Sequence, residues 1–376
     1  MSLTKQIGVF LHPSKPATFI PHDSWMPTGA RGLYGGLIVS QSLLSSLGTV
    51  PEGFTLQSAH CYFLNRATLE GGIEYEVEDL AVGRTFIRKL VKGKQNGKLF
   101  FIIMTSYELR RKQHEPPSNF PIDSDRDRTR VSNSLTAASQ PWDEDSSGAN
   151  GRYSQVKTRF QVPFPQNLLP WDKCEDNNVF LRKLLQEKTK EELGWKWRWF
   201  STWSSTDGMP SSTAVARKVT GVSSSPQYYL DGLPTTRMVW HHPRIETEEV
   251  LNEETYKAML AYVTDFQFVG TAARSVGLNA SSEPQLGMIA SLDHTIHFYP
   301  FPQGLDYRKP VLHVMESQVA DTKSERAVCR GRVYSSDGHL LAVTSQEGLF
   351  RARRVGETKN GCIESGLDEE DLLAKL

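Results

Sequence analysis

The sequence predicts an α+β protein in which one unit occurs twice, each time a helix wrapped by a long antiparallel sheet. Three observations carry this. Amphipathic helical text stands at the head of each half, at 33–48 and at 253–277. About four strand-like segments follow each helix. Each set of strands contains a turn dipeptide that closes a hairpin, Asn96-Gly97 in the first and Asp337-Gly338 in the second.

In chain order, Gly35-Gly36 opens the first helix. Val39, Leu43 and Leu47 recur at helical spacing, and Gly48 stands where the helix stops. Strands are expected at 54–66, 73–80, 84–92 and 98–109. The composition then turns to Ser, Asp, Arg, Pro and Asn, so 111–160 reads as a long exposed loop or a disordered insert. Residues 178–193 read as a charged helix. Trp195, Trp197 and Trp199 alternate with Lys196 and Arg198, which predicts a half-buried strand at a sheet edge rather than a nucleic-acid surface. A single helix is expected over 253–277, with Met259, Tyr262, Val263, Phe266 and Val269 as its apolar stripe. Strands follow at 289–301, 310–319, 326–334 and 339–351. The expected division is therefore an N-terminal half (1–110), an insert or linker, partly disordered (111–230), a C-terminal half (231–356) and a tail (357–376).

Composition excludes several function classes. Lysine plus arginine and aspartate plus glutamate each number 43 in 376 residues, so the net charge is zero. A dedicated nucleic-acid binder needs a positive field, and none is expected here. The longest purely apolar run, Leu99 to Met104, is far short of a membrane-spanning helix, and the first residues lack the apolar stretch of a signal peptide. Four dispersed cysteines form neither a zinc-site spacing nor a disulfide framework. There is no nucleophile elbow, zinc-protease helix or dinucleotide fingerprint. Gly93 to Lys98 falls one residue short of a phosphate-binding loop.

The halves repeat in text as well as in pattern. Thr105-Ser106-Tyr107-Glu108 matches Thr344-Ser345-Gln346-Glu347, and Ser58-Ala59-His60 is matched to Ser291-Leu292-Asp293. A wrapped helix present twice is a tandem, or double, hotdog. Three motifs sharpen this: Tyr34-Gly35-Gly36 with Gln41, Ala290-Ser291-Leu292-Asp293-His294, and Thr344-Ser345-Gln346-Glu347-Gly348. Together they resemble the acyl-CoA thioesterase II family over roughly 8–110 and 235–354, while 111–230 shows little or no resemblance.

The resemblance implies hydrolysis of fatty acyl-CoA to a fatty acid and CoA, with no metal or covalent cofactor. It implies that Asp265, Ser291 and Gln346 hold and activate a water. A thioester carbonyl is electrophilic, so an oriented water and a proton acceptor suffice: a carboxylate can accept the proton, and an amide and a hydroxyl can orient the water. The first half carries Tyr107 where the second carries Gln346, so it is expected to shape the site rather than perform the chemistry. Asp293 and His294 are expected to be structural. Two rival readings stand beside this one. A hotdog enoyl-CoA hydratase or dehydratase would use Asp293 and His294 together, and a non-catalytic acyl-CoA-binding protein would use the serine-rich segment as its contact surface.

One conflict is visible in the text. Along 289–300 the even positions are apolar, so a plain pleat would turn Ser291 away from the helix. Either a bulge intervenes or the site lies at a boundary between the halves. The exposed edges and flat back of hotdog sheets imply a homo-oligomer. The chain ends Ala374-Lys375-Leu376, a near match to the Ser-Lys-Leu peroxisomal address, which implies a peroxisomal import receptor as partner and the peroxisomal matrix as location.

Overall fold

A row of antiparallel pairings joins the two halves of the chain into one thirteen-stranded sheet. The computed structural model describes residues 2–27, 30–110, 160–193, 197, 201, 211–215, 229–230, 233–279 and 282–353. All elements below belong to one compact unit made of residues 1–109 and 163–376.

The first half begins with α1 (Leu3–Ile7), β1 (Val9–Leu11) and β2 (Thr18–Pro21). The helix α2 (Gly35–Leu47) follows, then β3 (Phe54–Phe63), β4 (Ile73–Val82), β5 (Phe86–Gln95) and β6 (Lys98–Leu109). The strand order is β1-β2-β4-β5-β6-β3. Leu37, Val39 and Leu43 of α2 are buried against this sheet. The β5–β6 hairpin turns through Asn96 and Gly97, both at positive φ (50° and 76°), as its Asn-Gly text requires.

Next come α3 (Asn177–Glu187), α4 (Lys190–Leu193), β7 (Ser211–Val215), the two-residue strands β8 (Tyr229–Leu230) and β9 (Leu233–Pro234), and β10 (Thr236–Pro243). Asp176 caps α3 by accepting from the Asn178 and Val179 backbone N–H groups. Most of the expected insert, 111–159, lies outside the described residues, as do Trp195 and Trp199. Trp197 is helical rather than in a strand, and Ser201 Oγ donates to its carbonyl at 2.8 Å. The period-two text does not decide the conformation of Trp197.

The second half carries α5 (Glu253–Thr264), α6 (Phe268–Ser275), β11 (Leu286–Ser291), β12 (Asp293–Phe298), β13 (Val311–Asp321), β14 (Arg326–Ser335) and β15 (Leu340–Ala352). Its strand order is β12-β15-β14-β13-β10-β7, with β11 also on β15. The helix expected over 253–277 is two helices. Asp265 ends α5, and Gln267 adopts a left-handed conformation (φ 56°) before α6 begins. The apolar stripe continues through the break, so periodicity alone could not reveal it. Among the described residues no helix is long and apolar enough to cross a membrane.

The halves meet where β3 pairs with β12, with Ala59 opposite Ile296. Ala59 pairs with Thr105 in its own half, and Ile296 pairs with Thr344 in the other. Ile296, not Leu292, is thus the counterpart of Ala59. The textual match of Ser58-Ala59-His60 to Ser291-Leu292-Asp293 is out of register, because each first strand carries its own irregularity. The helices reinforce the seam. α5 lies along α2, and the single Ser40 Oγ hydrogen is shared between Gly36 O (2.7 Å) and Ala258 O (2.8 Å). The buried Lys257 ammonium is held by Glu253 (2.9 Å), Glu254 (3.1 Å), Thr55 Oγ1 (2.5 Å) and Leu56 O (3.0 Å), which ties α5 to β3.

The conflict over Ser291 resolves here as a break at Leu292. Ser291 pairs with Gly348, whereas Thr295 pairs with Ser345, so one residue is extra on the first strand. In β12 the even residues His294, Ile296 and Phe298 are buried. In β11 Ala290 is exposed and Ile289 packs on the core. The inward parity flips between the two strands.

The core of the second half is polar in an unusual way. His241, His294 and His313 are wholly buried around Phe266 and Phe268. Burial pushes His241 and His294 down to about 3, and His313 well below its ordinary value. These rings are neutral when folded but protonate near 6.5 once unfolded. The unfolded chain therefore binds more protons below pH 6.5, and stability is lost as pH falls. Urea unfolding should show an unfolding free energy that drops between pH 6.5 and 4.5, by up to about 1.4 kcal/mol per pH unit for each histidine. A flat profile over that window contradicts the arrangement.

Candidate functional site

Asp265, Ser291 and Gln346 come from a helix end, a strand end and a neighbouring strand, and the structure brings all three together. Asp265 Oδ1 accepts from Gln346 Nε2 at 2.6 Å and, more weakly, from Ser291 Oγ at 3.4 Å. Gln346 Nε2 also donates to Ser291 Oγ at 3.1 Å. A carboxylate only accepts, so the glutamine amide must turn its NH2 toward it. The Gln346 Oε1 atom is buried and has no partner among the described residues.

The other carboxylate oxygen points into the opposite half of the chain. Asp265 Oδ2 accepts the backbone N–H of Gly36 at 2.9 Å, in the first turn of α2. That turn leaves backbone donors without helical partners and carries the positive end of the helix dipole. The two glycines explain the approach. A Cβ on Gly35 would stand 2.7 Å from Asp265 Oδ2 and 3.1 Å from the Phe63 ring. A Cβ on Gly36 would collide with the carbonyl of Tyr262 and stand 2.7 Å from the Tyr34 ring. Tyr34 donates to that same carbonyl at 2.7 Å and packs edge-on against Tyr262. The site thus lies on the boundary between the halves and also faces a helix, so the two readings of the parity conflict hold together.

Electrostatically, burial dominates. It raises the Asp265 carboxyl above its ordinary value, although Gln346, Gly36 and Ser291 all favour the charged form. Burial holds the Tyr34 and Tyr262 hydroxyls well above theirs, so both are neutral.

Sequence reasoning left Gly36 without a role. The signal was present: a glycine pair in the first turn of a helix costs stability and so requires a close neighbour. Gln41 from the same motif is structural. Its Nε2 donates to Gln6 O (3.1 Å) and Asp23 O (2.8 Å), and its Oε1 accepts from Tyr75 (2.8 Å). Asp293 and His294 do not act as a pair. Asp293 accepts the Glu347 backbone N–H at 2.6 Å, whereas His294 lies on the buried face and bonds Thr264 Oγ1 at 3.0 Å. In the first half Tyr107 is fully buried on the inward face of β6. Among the described residues no cluster of histidine, cysteine or carboxylate side chains could hold a metal.

Two family models match the chain. An acyl-CoA thioesterase N-terminal domain matches residues 22–107, and an acyl-CoA thioesterase C-terminal domain matches 195–350. Among curated proteins, acyl-coenzyme A thioesterase 8 of Mus musculus is 25% identical over 339 residues, covering 89% of this chain and 85% of its own. A peroxisomal acyl-coenzyme A thioester hydrolase of Saccharomyces cerevisiae is 40% identical over 107 residues, 28% of this chain and 31% of its own. Among solved structures, an acyl-CoA thioesterase II from Mycobacterium marinum superposes with a TM-score of 0.59 at 19% identity, over 93% of this chain and 98% of its own. A protein with hot dog fold from Alicyclobacillus acidocaldarius superposes with a TM-score of 0.54 at 14% identity, over 93% of this chain and 98% of its own, and the two likenesses establish the double-hotdog fold.

The glycine geometry makes a sharp contrast. Gly36→Ala should lower the unfolding free energy by about 1–3 kcal/mol, the cost of overpacking a tight contact. Gly72→Ala, where a Cβ would meet nothing within 4 Å, should change it by less than about 0.5 kcal/mol. Urea denaturation of the two variants side by side checks this.

Proposed function

From membership of the acyl-CoA thioesterase II family, to which this chain belongs as a thioester hydrolase, we infer that it hydrolyses fatty acyl-CoA through a water activated by Asp265, Ser291 and Gln346. The observation that carries this reading is the carboxylate of Asp265, held at once by Gln346, Ser291 and Gly36. Asp265 takes a proton from the water as the oxygen attacks the thioester carbonyl. The tetrahedral intermediate collapses with cleavage of the C–S bond, and the proton returns to the departing CoA sulfur. Gln346 and Ser291 fix the carboxylate and the water rather than form a covalent bond. The first turn of α2 brings a positive dipole end to the place where negative charge develops. Tyr107, at the place that Gln346 takes in the other half, cannot supply the amide, so the reading assigns one site per chain.

The separation of Asp293 from His294 removes the pair on which a hydratase would depend. Incubation with palmitoyl-CoA and with crotonyl-CoA, following free thiol and enoyl absorbance, distinguishes the chemistries. Thiol release is expected. Enoyl loss without thiol, or neither signal, overturns the reading.

The same reading keeps the halves at 1–110 and 231–356 and the tail at 357–376, with the segment 111–230 between the halves lending β7 to the edge of the second half's sheet. It includes a homo-oligomer that covers the outer sheet face, where Tyr62 and Met104 are exposed. It places the enzyme in the peroxisome, on the strength of Ala374-Lys375-Leu376 as an address for an import receptor and of the yeast relative's name. Deleting Ala374 to Leu376 from an N-terminally tagged chain should turn a punctate signal diffuse.

Asp265→Asn should lower kcat by about 100-fold or more, within the range for loss of a general base. Ser291→Ala and Gln346→Ala should each cost less and should not add to Asp265→Asn. Because burial raises the Asp265 carboxyl, the acid limb of kcat in the wild type should lie above the ordinary carboxylate value near 3.8. Steady-state kinetics across pH 4–8 measures both.

A further inference from the structure

Asp265 occupies a three-residue break, Asp265-Phe266-Gln267, between two helices. Such a break has few hydrogen bonds of its own, and the left-handed Gln267 costs conformational energy that surrounding contacts must offset. His294 touches both sides of it. Its Nε2 lies 3.0 Å from Thr264 Oγ1, the residue before the break, and its ring meets Phe268, the residue after it, edge-on at 5.9 Å. The Thr264 hydroxyl also reaches Ala261 O at 3.1 Å, and the tautomer of His294 sets whether the imidazole or the hydroxyl donates in the bond between them. Phe266 stands edge-on to His241 at 5.5 Å, and Phe268 packs on His313 at 5.2 Å. Thr264 and His294 are both almost wholly buried.

We propose that the Thr264–His294 hydrogen bond is a positioning device for Asp265, fixing the carboxylate to the strands that carry Ser291 and Gln346. β12, which bears His294, pairs with β15, which bears Gln346, and follows β11, which ends at Ser291. The helix end that presents Asp265 is thereby joined by a buried side-chain bond to the same strands as its two partners. It adds to the turn bond from the Phe266 N–H to Val263 O (3.2 Å) a side-chain tie from the helix end to the strands, beside the contacts at 2.6 Å and 2.9 Å that hold the carboxylate itself. Neutral imidazole suits this role, since it donates one hydrogen bond and packs as an aromatic face without a buried charge.

The inference rests on Asp265 being the proton acceptor, and the experiment separates the two. Thr264→Val keeps the shape and deletes the bonding hydroxyl. Thr264→Ser restores it. On palmitoyl-CoA, Thr264→Val should lower kcat about 10-fold with KM within about twofold of wild type, and Thr264→Ser should recover most of the loss. In an Asp265→Asn background, Thr264→Val should cause no further fall, because the group it positions is gone. His294→Gln, which can still present a donor, should retain more kcat than His294→Leu. If Asp265→Asn is impaired while Thr264→Val has wild-type kcat, the positioning role is wrong and the assignment of Asp265 stands. If Thr264→Val lowers kcat equally in both backgrounds, its effect is general destabilisation and the proposal falls. If Asp265→Asn retains full activity, both fall.

Discussion

The Asp265 carboxylate against the first turn of α2 is the contact on which the rest of the site depends. It demands three things at once: a helix that stops at Asp265, a helix that starts with no side chains, and a seam that brings the two ends together. The sequence meets these with a left-handed Gln267, with Gly35 and Gly36, and with the antiparallel β3–β12 pairing. Each is unfavourable or unusual in isolation. Their coincidence at one carboxylate is what distinguishes this region from an ordinary packing contact. Withdrawal from water outweighs three favourable donors there, so the group sits closer to neutrality than a surface aspartate.

Much of this was legible in the text because the signals were local. The Asn96-Gly97 and Asp337-Gly338 turns fixed two hairpins, and the strand 98–109 agrees with β6 residue for residue. The candidate trio came from motif resemblance, and the fold brings it together. What escaped were features set by tertiary contact. The stop at Asp265 is invisible because Phe266 and Val269 continue the apolar stripe. The β1, β2 and α1 additions are too short for a periodic signal. Trp197 carries a strand-like alternation and is helical. The parity conflict at Ser291 is a more instructive case. The text exposed the contradiction, and only the register of β11 and β12 on β15 identifies the extra residue at Leu292 as its cause.

The two halves share a backbone plan but have divided their duties. The second supplies Asp265, Ser291 and Gln346, while the first supplies a helix end and a sheet partner. Its own counterpart position holds Tyr107, packed and uncharged. The Lys257 cluster shows the same asymmetry. The buried cation on α5 is neutralised by Glu253 and Glu254 of its own helix, and its remaining hydrogen bonds go across the seam to Thr55 Oγ1 and Leu56 O. Drift of the two halves would leave that ammonium with unmade hydrogen bonds in a buried site, and this cost holds them together.

The extra residue at Leu292 constrains the chain's length, not only its composition. On one side of it the odd positions face inward, and on the other the even ones do. A substitution at Leu292 leaves that phase intact. Deleting the residue, or adding one beside it, would shift the phase and aim either Ser291 or His294 at solvent. A family history rich in amino-acid replacement yet intolerant of insertions and deletions between 291 and 294 is the expected evolutionary trace of this single irregularity.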